Sequence, residues 1–214
     1  METQLIFLGA PGSGKGTQAT RLENNKGYHH ISTGDLLRSE IKKQSDLGIR
    51  VKQIVDSGGL VDDGIVLSLL KLNCDTKRYS YIFDGFPRNL EQAKSLDHQV
   101  LQGVDTKVVY FELKTDILID RLKNRRTCSK CNEIYNLVTS PPKVENTCDK
   151  CGSVGLVQRL DDQPEVVKKR MEVFENTINP VLEYYDQKGL LVKVNAAEEV
   201  EAVYGEILKG IEDC

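Results

Sequence analysis

At 214 residues and 24.0 kDa, the chain has room for one α/β core with small insertions and little for two full-sized domains. Hydrophobic residues at 39% and charged residues at 29% exclude disordered, collagen-like and low-complexity classes, and no apolar run is long enough to cross a bilayer. A net charge of −3 argues against bulk nucleic-acid binding, which draws on a surplus of Lys and Arg, but leaves a small anionic ligand open.

The opening Met1-Glu2-Thr3-Gln4 offers no basic n-region and no cleavage site, so a soluble, cytoplasmic protein is expected. Gln4-Leu5-Ile6-Phe7-Leu8 is a short apolar run that reads as a buried parallel strand. It leads into Gly9-Ala10-Pro11-Gly12-Ser13-Gly14-Lys15-Gly16-Thr17, which satisfies G-x-x-x-x-G-K and precedes a helical pattern. Glycines at this spacing let backbone N–H groups curl around a phosphate while the new helix points its positive end at it. Lys15 adds a mobile charge. Gly16 stands where the usual motif has Ser or Thr, and Thr17 is the candidate to supply that hydroxyl. A glycine-rich turn with an incidental lysine is the bland alternative, and the strand before and helix after weigh against it.

Residues 32–61 carry short helical patterns and no strand. Tyr81-Ile82-Phe83, Val108-Val109-Tyr110-Phe111 and Leu190-Leu191-Val192 read as further strands. Asp84, at the end of the first of these, stands like the acid that holds magnesium, directly or through water; a turn or helix-cap role is the alternative. Residues 127–162 contain Pro141-Pro142 and four of the six cysteines, with almost no helical periodicity. Val167, Met171, Phe174, Ile178, Val181, Leu182 and Tyr185 then recur at helical steps, with Pro180 expected to kink that helix. Strands alternating with helices predict a parallel sheet covered on both faces. The core is expected over 1–31, 62–126 and 163–214, with insertions at 32–61 and 127–162.

The loop with Gly16 in that place resembles that of adenylate kinases and related nucleoside monophosphate kinases. Ser32-Thr33-Gly34-Asp35-Leu36-Leu37-Arg38 is similar to the family's segment opening the monophosphate arm, and Asp84-Gly85-Phe86-Pro87-Arg88 with Gln92 to its signature. Arg125-Arg126 and Arg159-x-Asp161-Asp162 resemble the two borders of its lid, and the four-cysteine insertion resembles the long, zinc-bearing form. The resemblance runs from Gly9 to Arg170. It implies a P-loop core, and reversible transfer of the γ-phosphoryl group of ATP to AMP, giving two ADP.

Carried over residue by residue, the resemblance implies ATP contacts from Gly12, Ser13, Gly14, Lys15, Gly16, Thr17, Arg121, Arg125, Ile134 and Tyr135. For Tyr135, packing inside the lid is an equal alternative. It implies AMP contacts from Thr33, Arg38, Gly59, Leu60, Val61, Gly85, Phe86, Pro87, Arg88 and Gln92, with Arg159 and Arg170 embracing the transferring group. Lys15, Arg88, Arg125, Arg159 and Arg170 are the candidate catalytic residues. Singly, each arginine would read as a solvated or ion-paired side chain. Their positions, after a strand's carboxyl end and at the borders of both insertions, suit an assembly of negative oxygens instead. No general base is required, because the acceptor is already an anionic phosphate. Of Asp161 and Asp162, one is expected to cap the following helix; His29, His30 and His98 are expected to have no catalytic role.

Cys128-x-x-Cys131, sixteen intervening residues and Cys148-x-x-Cys151 have the spacing of a zinc site. Two CxxC knuckles close a tetrahedron with no open position, so one structural zinc is expected; a redox pair is the alternative. Cys74 and Cys214 stand apart. A zinc ribbon could read nucleic acid, yet Lys130, Lys143 and Lys150 are balanced by Glu133, Glu145 and Asp149, which counts against that reading. The partners expected are ATP, AMP and ADP, with no nucleic acid or membrane, and the chain is expected to be a monomer. A CMP/UMP kinase or a GTP-dependent AMP kinase is the nearest rival, because base choice depends on few residues.

Overall fold

The computed structural model describes residues 3–212, so Cys214 lies outside the described residues. In chain order the strands are β1 (Gln4–Leu8), β2 (His29–Ser32), β3 (Tyr81–Asp84), β4 (Thr106–Glu112), β5 (Arg125–Cys128), β6 (Ile134–Asn136), β7 (Leu156–Val157) and β8 (Leu191–Asn195). The helices are α1 (Lys15–Lys26), α2 (Thr33–Lys43), α3 (Asp46–Asp56), α4 (Asp63–Asn73), α5 (Leu90–Gln99), α6 (Thr115–Lys123), α7 (Pro164–Gln187) and α8 (Val200–Glu212).

Five strands form a wholly parallel sheet in the order β2-β3-β1-β4-β8. Strand alternation divides its apolar side chains between two layers. Ile6, Leu8, Phe83 and Val108 pack with Leu70, Leu96, Val181 and Tyr185, from α4, α5 and α7. Leu5, Phe7, Ile82 and Phe111 face the other way, onto Ala19, Leu22, Val203 and Ile207 of α1 and α8. With both faces covered, β1 is buried along its whole length and reads in sequence as one unbroken apolar run. The chain leaves β1 at the sheet's centre, where β3 lies on one side and β4 on the other, and this is where open α/β sheets hold their ligands.

One strand of this sheet, β2, was not among those expected. Strand β2, His29-His30-Ile31-Ser32, buries only Ile31 and pairs with β3 alone, so an edge strand this short and polar has no periodic signature. Helix α7 runs for 24 residues with Pro180 inside it. Its apolar face, Val167, Met171, Ile178, Val181 and Tyr185, stays buried along its length, and that packing opposes the loss of one backbone bond.

Residues 32–61 fold as the α2–α3 pair. Ser32 caps α2 by accepting from Asp35 N, and Ser45 caps α3 by accepting from Gly48 N. The two helices meet so closely at Gly48 that a Cβ there would lie 2.1 Å from the Glu40 carbonyl oxygen. Residues 127–162 form the rest of an antiparallel sheet of order β6-β5-β7, whose central strand β5 starts at Arg125. A 3₁₀ turn at Leu160–Asp162 returns the chain to α7.

Two helical glycines should therefore respond oppositely to alanine. Gly205, with open space around its missing Cβ, should gain about 0.5–1 kcal/mol from better helix propensity. Gly48→Ala should lose about 1–3 kcal/mol, because the neighbour is rigid backbone. Urea unfolding of both variants checks the pair of signs.

Candidate active site

The strand-to-helix loop after β1 sets the floor of a cleft of about 1060 Å³. Gly14 is the N-cap of α1 in the left-handed conformation, φ 94°, which turns the chain so that the first helical amides face the cleft. Gly12 to Thr17 all line it. Lys15 Nζ donates to Gly9 O at 2.8 Å and Ala10 O at 2.9 Å. Burial draws this ammonium down to about 8, with Asp84 opposing and Arg88, Arg170 and Arg125 adding to the fall. A lysine so destabilised as a cation gains from any anion placed beside it.

Asp84 ends β3 beside this loop. Its burial would favour the neutral acid, but His30, Lys15 and Arg88 outweigh that and hold its carboxyl below the usual range. His30 Nε2 lies 3.2 Å from Asp84 Oδ2. Burial works against the imidazolium, yet the hydrogen bond and charge of Asp84, with Asp35 and Glu23, raise its pKa above the ordinary value. His30 thus borders the cleft as a histidine satisfied by Asp84. The β2–β3 pairing that brings it there has no local signature.

The arginines converge from five elements. Arg38 (α2) bonds Asp35 at 2.6 Å and reaches Asp161 at 3.7 Å. Arg159, before the 3₁₀ turn, donates to Thr127 Oγ1 at 3.0 Å and lies 3.6 Å from Asp35. Arg125 (β5) grips Asp162 with two nitrogens, Nε at 2.8 Å. Arg170 (α7) bonds Asp161 Oδ2 at 3.0 Å, Asp162 Oδ1 at 3.2 Å and the Asp161 carbonyl at 2.7 Å.

Arg88 donates through Nε to Gly85 O at 2.7 Å, and among the described residues no carboxylate lies within ion-pair distance of it. Burial, then the neighbouring Arg170 and Arg38, lower it to about 10. Burial with Arg38 and Arg125 does the same to Arg159. Asp161 and Asp162 are therefore ion-pair partners rather than helix caps: α7 begins at Pro164 after Gln163, with no side-chain cap. Their depth overrides the local cap signal, since buried guanidinium groups require counter-charge.

The remaining expected residues fall on three walls. Thr33 Oγ1 donates to Gly85 O at 2.9 Å, and Phe86 and Pro87 continue that wall as buried residues. Gly59, Leu60 and Val61 line the cleft after α3. Gln92 borders it too, but its amide already bonds Arg88 N and Asp63. Arg121, without an ion pair among the described residues, lines the opposite end beside Gly14. Arg159 does not line the cleft; it stands behind Thr127 and Asp35.

Strand β6 divides its residues by alternation. Ile134 faces the phosphate loop, its Cδ1 3.5 Å from where a Gly16 Cβ would stand. Tyr135 turns the other way. Its buried hydroxyl donates to Cys148 Sγ at 3.4 Å and accepts from Asp149 N at 2.8 Å, which is the lid-packing alternative.

The four cysteines have all their sulfurs within 4.8 Å of one another. Cys128 and Cys151 lie 3.6 Å apart, and Cys131 and Cys148 3.5 Å. These are free thiols at separations near the edge of a thiolate tetrahedron, roughly 3.8 Å for metal–sulfur bonds of about 2.3 Å. Ser153 Oγ lies 3.2 Å from Cys128 Sγ and 3.0 Å from Cys151 Sγ. A soft, four-sulfur donor set fits zinc.

Asp162 has a side chain with no exposure and neutralises two guanidinium groups. Asp162→Ala should cost about 3–5 kcal/mol, and added tripolyphosphate should recover part of the lost melting temperature. Scanning calorimetry with and without the anion checks both.

The sequence profile of the family described as Adenylate kinase matches residues 7–190. An adenylate kinase of Thermosipho africanus (strain TCF52B) is 44% identical over 208 residues, 95% of this chain and 97% of that protein. One of Caldicellulosiruptor saccharolyticus is 43% identical over 213 residues, 97% and 98% of the two chains. One of Nitrosococcus oceani is 41% identical over 211 residues, 95% and 97%.

Proposed function

The chain belongs to the adenylate kinase family, and from that premise we propose that it catalyses MgATP + AMP ⇌ 2 ADP in the cleft between its two insertions. The observation that carries this reading is the buried cationic surplus at the phosphate loop. Lys15 and the five arginines 38, 88, 125, 159 and 170 face four carboxylates, and Arg88 has none of its own. Such a surplus suits several phosphates at once and no neutral substrate.

In this reading the donor lies over residues 12–17, between Arg121 and Ile134. AMP lies against Thr33, Arg38, residues 59–61, residues 85–88 and Gln92. Lys15, Arg88, Arg125 and Arg170 follow the charge on the transferring group, where preorganised cations lower a phosphoryl-transfer barrier, and Arg159, which stands behind the cleft wall, joins them as the arms close. The Asp161 and Asp162 contacts of Arg38, Arg125 and Arg170 are exchanged for phosphate oxygens when substrates bind. Asp84 is the residue suited to hold magnesium, directly or through water. A magnesium held there would supply positive charge to offset that of the ATP phosphates.

Residues 32–61 and 127–162 act as arms that close over the substrates and exclude water, a competing acceptor. Direct polar contacts between them support this. Lys42 Nζ donates to Ser129 O at 3.0 Å, and the Arg159–Asp35 and Arg38–Asp161 pairs also span the cleft. Cys128, Cys131, Cys148 and Cys151 would hold one zinc that stabilises the lid and takes no part in the chemistry. Among the described residues no helix is long and apolar enough to cross a membrane. The protein is read as a cytoplasmic monomer without nucleic-acid or membrane partners.

Lys15→Met should keep the fold and lower kcat at least about 100-fold; chromatographic separation of ATP, ADP and AMP after timed reaction checks it, and near-wild-type turnover would sink the assignment. For the metal, elemental analysis should find one zinc per chain in wild type and in Cys74→Ser, and a loss in Cys148→Ser. Chelation should lower the melting temperature through linkage, with residual turnover surviving at low temperature. Metal-free protein of unchanged stability would overturn that role.

A further inference from the structure

Gln92 is 2% exposed and sits where α5 meets the cleft wall. Its Oε1 accepts from Arg88 N at 2.7 Å, and its Nε2 donates to Asp63 Oδ1 at 2.6 Å. Asp63 opens α4, and its carboxylate also accepts from Asn89 Nδ2 at 3.3 Å. Asn89 in turn caps α5, its Oδ1 accepting from Gln92 N at 2.8 Å. The Arg88 main chain and the Asp63 side chain thus hold the amide directly, and Asn89 braces both Asp63 and the Gln92 backbone.

This surrounding permits a single orientation of the amide. Turned over, Gln92 would set its carbonyl oxygen against a carboxylate and its NH₂ against a backbone N–H, replacing two hydrogen bonds by two repulsions. Two groups fix this orientation: Arg88 N, a main-chain donor that no side-chain change removes, and Asp63, whose carboxylate offers only acceptors and is the part a substitution can alter. After these bonds the amide keeps one lone pair on Oε1 and one N–H on Nε2, each on a fixed side.

A purine edge pairs with such an amide in one of two opposite senses. A 6-amino purine shows an N–H donor at C6 and an acceptor at N1, and a 6-oxo purine shows an acceptor at C6 and a donor at N1. With the monophosphate anchored by the arginines, the base cannot turn over to compensate. A locked amide therefore serves one edge, whereas one free to rotate serves both. We infer that Asp63 is a specificity-determining positioning residue: it holds Gln92 in the orientation that accepts a 6-amino purine monophosphate and rejects a 6-oxo one. This rests on the proposed reading in which Gln92 meets the acceptor base.

The test compares AMP with inosine monophosphate, which differs in the 6-substituent and the N1 proton that goes with it. kcat/KM for each is measured with MgATP on wild type, Asp63→Asn and Asp63→Ser, with melting curves for all three. An asparagine can present either its oxygen or its NH₂ to Gln92, so it removes the Asp63 half of the lock while keeping the volume. The AMP-to-IMP ratio of kcat/KM should fall at least about tenfold in Asp63→Asn, by loss on AMP and gain on IMP together. A merely structural role would lower both substrates alike and leave the ratio unchanged. The serine variant gives the same reading should the asparagine variant fold poorly. A ratio unchanged within about twofold in the folded variants overturns the role of Asp63. Wild-type protein that does not discriminate between the two monophosphates overturns instead the assignment of Gln92 to the base.

Discussion

Like-charge crowding is the constraint on which this molecule turns. Guanidinium groups from α2, β3's end, β5, the 3₁₀ turn and α7 are gathered around one lysine, largely out of water. Charges of one sign at such spacing repel unless counter-charge is supplied. Asp35, Asp84, Asp161 and Asp162 supply it within the protein. Arg88 and Lys15, which burial and neighbouring cations push down to about 10 and about 8, are left as the places where an incoming anion relieves most. The carboxylates thus hold the site together, and on the proposed reading nucleotide binding exchanges their oxygens for those of the phosphates.

That exchange gives a physical reason for building the site from separate pieces. Arg38 and Asp35 belong to the α2–α3 pair, Arg159 and Asp161 to the end of the other insertion, and Arg170 to the core helix α7. The two ion pairs that join the insertions across the cleft are long, 3.6 Å for Arg159–Asp35 and 3.7 Å for Arg38–Asp161, against 2.6 Å for Arg38–Asp35 within α2. Pairs of that length hold weakly and release readily. On the proposed reading, the arms close most firmly when phosphates stand between the guanidinium groups.

Strand alternation places the four-cysteine cluster and the phosphate-loop cleft on opposite faces of the small sheet. Successive residues of β6 point to opposite faces, so Ile134 rests over the phosphate loop while Tyr135 bonds Cys148. The sheet has little apolar core: Cys128, Tyr135 and Cys148 are its buried members, with Leu156 half-buried beside them. On the proposed reading, a metal held by the four thiolates would substitute for the missing core and so set the height at which Ile134 meets the cleft.

Much of this was legible in the sequence wherever a local pattern carries the physics. The β1 apolar run, the glycines before Lys15 and the spacing of the CxxC pairs each depend on residues a few places apart, and local stereochemistry restricts what such a stretch can do. The apolar stripe of α7 was equally plain. Tertiary structure alone decided the charge network. Asp161 and Asp162 have the local signature of helix caps, and only their depth beside Arg125 and Arg170 makes them counter-ions. His30 lies on a four-residue edge strand with one buried side chain, so nothing local marks it, and it reaches Asp84 only because β2 pairs with β3. Gln92 could be assigned to a base by resemblance, but the orientation of its amide depends on Asp63, 29 residues away. Hydrogen bonds and ion pairs of this kind are set by where helices end in space, and sequence spacing carries no trace of that.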